Sequence, residues 1–91
     1  MTFEWHEPKN SANFKKHGVW FEEAQTTDPG SLEFHDPEHS SDEDRFIRIG
    51  YSGAGRILLV VFCEKGQGGV IRIIGARKAN VKERKQYEEL L

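Results

Sequence analysis

Six bases lie between Arg72 and Lys85, and five of them, Arg77, Lys78, Lys82, Arg84 and Lys85, fall within residues 77 to 85. Arginine forks match phosphate oxygens bidentately, so a cluster this dense can hold an RNA backbone and stabilise a phosphorane-like transition state. The same pattern also suits a solvated helix face. His17, in Lys15-Lys16-His17-Gly18, falls at the C-terminal end of a predicted helix, where the dipole favours the imidazolium. There it suits general acid or base work on a 2'-hydroxyl or a leaving 5'-oxygen, and equally the capping of carbonyls or packing against Trp20. His35 and His39 would make a metal pair on a helix, but Pro37 stands between them and no Cys or third His follows at ligand spacing, so no metal is expected. The glycines at 66, 68 and 69 lack the Gly-Lys-Ser/Thr ending of a phosphate loop. No serine carries a nucleophile signature, and Cys63, within the apolar run Ile57 to Cys63, reads as a core thiol. Trp5, Trp20 and Phe21 could stack on bases, although in so small a chain aromatic residues serve first as core.

These side chains need a scaffold. Phe3-Glu4-Trp5 alternates as a short strand, and His6-Glu7-Pro8 reads as a helix entry, because proline is tolerated in the first turn. The helix runs from Pro8 to His17 and stops at Gly18. A second short helix covers Glu22 to Thr26, stopped by Asp28-Pro29-Gly30, and the two form a hairpin. Residues 31 to 44 hold a brief strand at Leu32 and Phe34 and then an acidic loop. Three strands follow, Arg45 to Tyr51, Ile57 to Cys63 and Val70 to Ala76, joined by glycine-bearing turns short enough for an antiparallel meander. Strict alternation would put Ile71, Ile73 and Gly75 on one face of the last strand, and Arg72, Ile74 and Ala76 on the other. Asn80 with Glu83 three residues later resembles a capping box, opening a helix to about Leu90.

With 91 residues the chain reads as one α+β domain with a modest core and shallow surfaces. The net charge of -2 conceals a segregation: residues 22 to 44 carry nine acids and no base, whereas residues 45 to 91 carry ten bases and four acids. Such asymmetry points to a polyanion-binding surface, or to two segments that face one another. A single cysteine fits a reducing compartment, and the apolar run of seven residues is far short of the roughly 20 a spanning helix needs. The N-terminus lacks the regions of a signal peptide, so a cytoplasmic protein without a membrane role is expected.

With these residues in place, the chain resembles the BrnT family of ribonuclease toxins from bacterial type II toxin-antitoxin systems. The resemblance is carried by Phe3-Glu4-Trp5, Pro8-Lys9 with Asn13, Lys16-His17-Gly18-Val19, Phe21-Glu22-Glu23-Ala24 and Asp36-Pro37-Glu38-His39-Ser40. It continues through Glu43 to Phe46 with Gly50 and Ser52, Gly55-Arg56, Ile71-Arg72-Ile73-Ile74, Ala76-Arg77, Ala79, Glu83-Arg84 and Tyr87-Glu88. His6 stands where the family more often has a capping Asp, and Gly75 where a Ser is common. A histidine caps less well, an effect under about 1 kcal/mol.

The resemblance implies a small RelE-like α+β domain with a curved antiparallel sheet. It also implies metal-free endonucleolytic cleavage of messenger RNA, without a cofactor. The implied partner is a BrnA-like ribbon-helix-helix antitoxin, in a complex of two toxins with two antitoxins that binds operator DNA. The site positions of the family fall on His17, Arg45, Arg77, Lys78, Arg84 and Tyr87, with Arg72 as a further candidate. On this reading Arg77, Arg45 and Arg72 bind the scissile phosphate, Lys78 and Arg84 track the RNA backbone, and His17 or Tyr87 transfers protons. A phenol is a weak base at neutral pH unless cations lower its pKa. A module that binds RNA or antitoxin without cleavage shares the same basic face, and so does an interaction domain whose acidic loop 36 to 44 covers it.

Overall fold

The computed structural model describes residues 2–28, 30–39 and 43–91. Five strands, β1 (Thr2–Glu4), β2 (Leu32–His35), β3 (Asp44–Tyr51), β4 (Ile57–Lys65) and β5 (Val70–Lys78), form one sheet in the order β1-β5-β4-β3-β2. Helices α1 (Glu7–His17) and α2 (Phe21–Ala24) precede β2, and α3 (Val81–Glu88) follows β5. The predicted α+β order therefore holds, with a meander one strand longer than expected, since β2 pairs antiparallel with β3. β1 departs from the all-antiparallel expectation: it lies parallel to β5, with Thr2 to Glu4 opposite Val70 to Arg72. The intervening chain supplies the long crossover that a parallel pair requires. The centre of the acidic loop, residues 40 to 42, and Pro29 of the predicted turn lie outside the described residues.

The sheet is covered on both faces. Val19, Phe21 and Ala24, from α2 and the segment before it, pack on Leu58, Val60, Phe62, Ile71, Ile73 and Ala76. On the opposite face Tyr87 of α3 packs on Ile49 and Leu59, with Ile47, Ile57 and Val61 around them. This explains why β4 is apolar from Ile57 to Cys63.

Helix α1 has no apolar stripe; asparagines attach it. Asn10, 1% exposed, accepts from Phe21 N at 2.7 Å and donates to Glu22 Oε1 at 2.8 Å, and so fixes the start of α2. Asn13 donates to Val19 O at 2.9 Å and Ala76 O at 2.8 Å, and accepts from Ala76 N at 3.2 Å. β1 reaches only to Arg72, so the Asn13 amide satisfies the edge of β5 beyond it, as a neighbouring strand would. Asn13→Ala is expected to lower the unfolding free energy by about 1 to 2 kcal/mol, read as a shifted urea midpoint at unchanged m-value. His6, at the N-cap of α1, makes no side-chain cap hydrogen bond, as its type suggests.

The pairing of β4 with β5 slips between Val61 and Phe62: Val61 faces Gly75, whereas Phe62 faces Ile73. The extra residue, Ile74, is a bulge, and beyond it the alternation reverses. Ala76 therefore joins Ile71 and Ile73 in the core under α2, correcting the strict alternation read from sequence. Arg77, paired with Leu59, moves to the α3 face, which Arg72 and Cys63 also share.

Candidate nucleic-acid interface

At the end of the sheet where the β3–β4 turn meets the β5–α3 connection, a cavity of about 390 Å³ opens between Tyr51, Gly55, Arg56, Ile57, Lys78, Ala79, Arg84 and Glu88. Three cations and an exposed phenol thus face one recess, opposed among its lining residues by the single carboxylate of Glu88. Ala79 N donates to Ile57 O at 3.0 Å, tying the two connections together.

Arg56 is anchored rather than free to swing. Its Nε donates to Glu23 Oε2 at 2.9 Å, one terminal nitrogen donates to Glu23 Oε1, and the same nitrogen reaches Gly18 O at 3.2 Å. Ser52 Oγ also donates to Glu23 Oε2, at 2.8 Å. The Arg56 hydrogen bonds, helped by Ser52, hold the Glu23 carboxyl below its usual range against the opposing effect of burial, and Lys78 contributes charge from nearby. The Arg56 guanidinium is correspondingly raised. Sequence reasoning passed over Arg56 and Tyr51. Arg56 read only as the residue before an apolar strand, because its partner lies 33 residues away and no local period marks the pair.

The expected site residues fall into three groups. Lys78 and Arg84 line the cavity, and His17 is exposed immediately before Gly18, whose carbonyl receives Arg56. Arg77 and Tyr87 are not among the cavity's lining residues. Arg77 donates through both terminal nitrogens to the Glu83 carboxylate, each at 2.8 Å. Glu83 in turn closes the capping box with Asn80 predicted at the start of α3. Hydrogen bonding to Arg77 leads the lowering of the Glu83 pKa, and the Arg77 pKa is raised. Tyr87 is 4% exposed and meets Tyr51 edge-on with centroids 5.6 Å apart.

Arg45 and Arg72 form the third group, flanking Cys63 in cross-strand register. Arg45 lies 3.9 Å from Asp36, and Arg72 3.9 Å from Glu4. Arg45 and Tyr51, like Arg72 and Lys78, are six positions apart, about 20 Å of strand. One phosphate cannot meet Arg45, Arg72 and the cavity cations together; of the three arginines expected to clamp the scissile phosphate, Arg45 and Arg72 flank Cys63 while Arg77 is paired with Glu83. Burial raises the Cys63 thiol pKa, with Glu43 acting in the same sense and Arg45 and Arg72 opposing. His35 sits 3.3 Å from Asp44. Among the described residues no group of three or more His, Cys, Asp or Glu is gathered as a metal site. Nor, among them, is any helix long and apolar enough to cross a membrane.

A five-stranded sheet with helices on both faces and a recess lined by three cations at one end defines a small α+β domain. Residues 5–83 match the family model described as the ribonuclease toxin, BrnT, of type II toxin-antitoxin systems, and the chain belongs to that family. Among solved structures it is similar to the Brucella abortus ribonuclease toxin, BrnT, at 27% identity and a TM-score of 0.70, over 88% of this chain and 97% of that one. A search of curated protein sequences gave no match.

Proposed function

We propose that the chain is an endoribonuclease toxin that cleaves single-stranded messenger RNA in the cytoplasm, at the recess between Arg56, Lys78 and Arg84. The observation that carries this is the convergence of those three cations with Tyr51 on one cavity, in a chain of a ribonuclease toxin family. The substrate's own 2'-oxygen attacks phosphorus, the bond to the 5'-oxygen breaks, and the products end in a 2',3'-cyclic phosphate and a 5'-hydroxyl. His17, one residue before the Gly18 whose carbonyl receives Arg56, is assigned to accept the 2'-hydroxyl proton, and water supplies the proton taken by the leaving 5'-oxygen. Lys78 and Arg84 hold the phosphate and its developing charge. Tyr87, buried, is assigned to positioning Tyr51, and Arg77, through Glu83, to positioning Arg84. Arg45 and Arg72 lie where a flanking length of RNA backbone would pass. The reaction so written needs no metal or other cofactor.

The partner in this proposal is a BrnA-like ribbon-helix-helix antitoxin, two with two toxins, that binds operator DNA. An acidic segment of it laid over Lys78 and Arg84 would inhibit by occupying the RNA site. The test is cleavage of a mixed-sequence RNA by purified protein with EDTA present, with analysis of product ends. Cyclic phosphate ends, and loss of one limb of the pH-rate profile in His17→Ala, are expected. Binding without products would replace the enzyme by a binding module, and cleavage abolished by EDTA would overturn the metal-free mechanism.

A further inference from the structure

A second recess adjoins the first across the β3–β4 turn. Gly55 and Arg56 line the cationic cavity, whereas Gly53 and Ala54, from the same turn, line a hollow of about 560 Å³ with Trp20, Glu22, Glu23 and Thr26. The Arg56–Glu23 pair is the wall between them. The floor is fixed, because Gly53 N donates to Thr26 Oγ1 at 2.8 Å and a Cβ at Gly53 would come within 3.3 Å of that oxygen.

Trp20 was expected in the core, and the structure places it at the surface. Its ring stacks on Phe14 with centroids 4.1 Å apart and planes 10° from parallel, and the two rings stay 42% and 38% exposed. Two large aromatic rings held parallel at the surface form a stack that a third flat ring can extend. Lys15 and Lys16, in the last turn of α1, follow Phe14 directly in the chain and carry positive charge. The hollow is largely apolar, and Glu22 and Glu23 are the charged residues of its lining. Both oxygens of Glu23 are taken by Arg56 and Ser52, and Glu22 is exposed with one oxygen held by Asn10.

We propose that this hollow is a base-reading subsite for single-stranded RNA, in which the base beside the cleaved phosphate stacks on Trp20 and presents its N–H edge to Glu22. The proposal rests on the ribonuclease reading and supplies its sequence preference. Stacking accepts any base, whereas a carboxylate accepts hydrogen bonds and gives none. Of the four bases guanine places two N–H groups side by side on its Watson–Crick edge, so guanine fits best. The phosphates run outside the hollow, over Lys15, Lys16 and Lys78, away from Glu22.

The test uses fluorescein-labelled, 2'-O-methyl RNA oligonucleotides, which cannot be cleaved, with one guanine or none in a uridine background, titrated by anisotropy. Parallel cleavage of the unmodified oligonucleotides reports on the ribonuclease reading separately. Wild type is expected to prefer the guanine-bearing strand, Trp20→Leu to bind it about ten-fold more weakly, Trp20→Phe to retain most of the affinity, and Glu22→Gln to lose the guanine preference. Equal affinity of wild type and Trp20→Leu would overturn the subsite even if cleavage proceeds. Guanine-dependent binding lost in Trp20→Leu would sustain it even without cleavage. Trp20→Leu protein that binds RNA as wild type but no longer holds its antitoxin would assign the hollow to a protein partner and overturn the proposal.

Discussion

Replacing Lys78 and Arg84 together by alanine is expected to reduce kcat/KM for RNA cleavage by at least about 100-fold, since each charge-assisted contact to phosphate contributes roughly 1.5 to 3 kcal/mol. Both side chains are exposed, so the double variant should fold with a melting temperature close to that of the wild type. The salt dependence supplies an independent check. On single strands each phosphate contact contributes about 0.7 to the slope of log K against log salt, so losing both should make the slope shallower by about 1.4. Arg45→Ala with Arg72→Ala is the contrasting pair. About 20 Å of strand separates those residues from the cavity, and their loss should weaken binding of long RNAs while sparing a dinucleotide substrate. If the second pair abolished dinucleotide cleavage and the first left it intact, the reacting phosphate would belong beside Cys63 instead.

Glu23→Ala is expected to destabilise the fold by roughly 3 kcal/mol, because the substitution leaves the Arg56 fork and the Ser52 hydroxyl without their shared acceptor. Side-chain exposures of 33% for Arg56 and 18% for Glu23 keep the loss below that of a deeply buried pair. In a domain of this size such a loss corresponds to a fall in Tm on the order of 10 to 20 °C. Differential scanning calorimetry of the two proteins at pH 7 measures it, and a fall under about 2 °C would show that the pair is merely superficial. The pH dependence has a definite sign. Glu23 and Glu83 both titrate below the ordinary carboxylate value of 4.5. Their contribution to stability is therefore complete above that value and is lost as pH falls through the lowered pKa values. Wild type should lose stability on acidification in that window, and Glu23→Ala should lose less.

Local patterns foresaw much of this architecture. Gly18 ends α1 in the left-handed region at φ 71°, and the capping box of α3 forms between Asn80 and Glu83 as their spacing implies. The three predicted strands begin within one residue of their observed starts, while β4 and β5 each run two residues further than their patterns suggested. What escaped was non-local. No period in Phe3-Glu4-Trp5 says that its partner is Val70 to Arg72 and parallel. The bulge at Ile74 leaves no mark in a run of Ile-Arg-Ile-Ile, yet it decides which face receives Arg77. Tyr87 was read as chemistry and is largely core, and Trp20, read first as core with base stacking as the alternative, is exposed; neither a helix too short and polar to show a stripe nor the residue that precedes one sorts its faces by pattern. At the site, the basic cluster gave Lys78 and Arg84, whereas Arg56 becomes visible only once Glu23 is brought across the sheet.

The asparagine that completes the edge of β5 also bears on the order in which the chain folds as it is made. Asn13 meets Ala76 across 63 residues, and β1 waits for Val70 to Arg72. The Asn13 and β1 contacts of the N-terminal layer can therefore form only after β5 has been made, whereas the β3–β4 hairpin can close from its own neighbourhood. A nascent chain on the ribosome thus carries an unassembled cavity until most of its length has been translated.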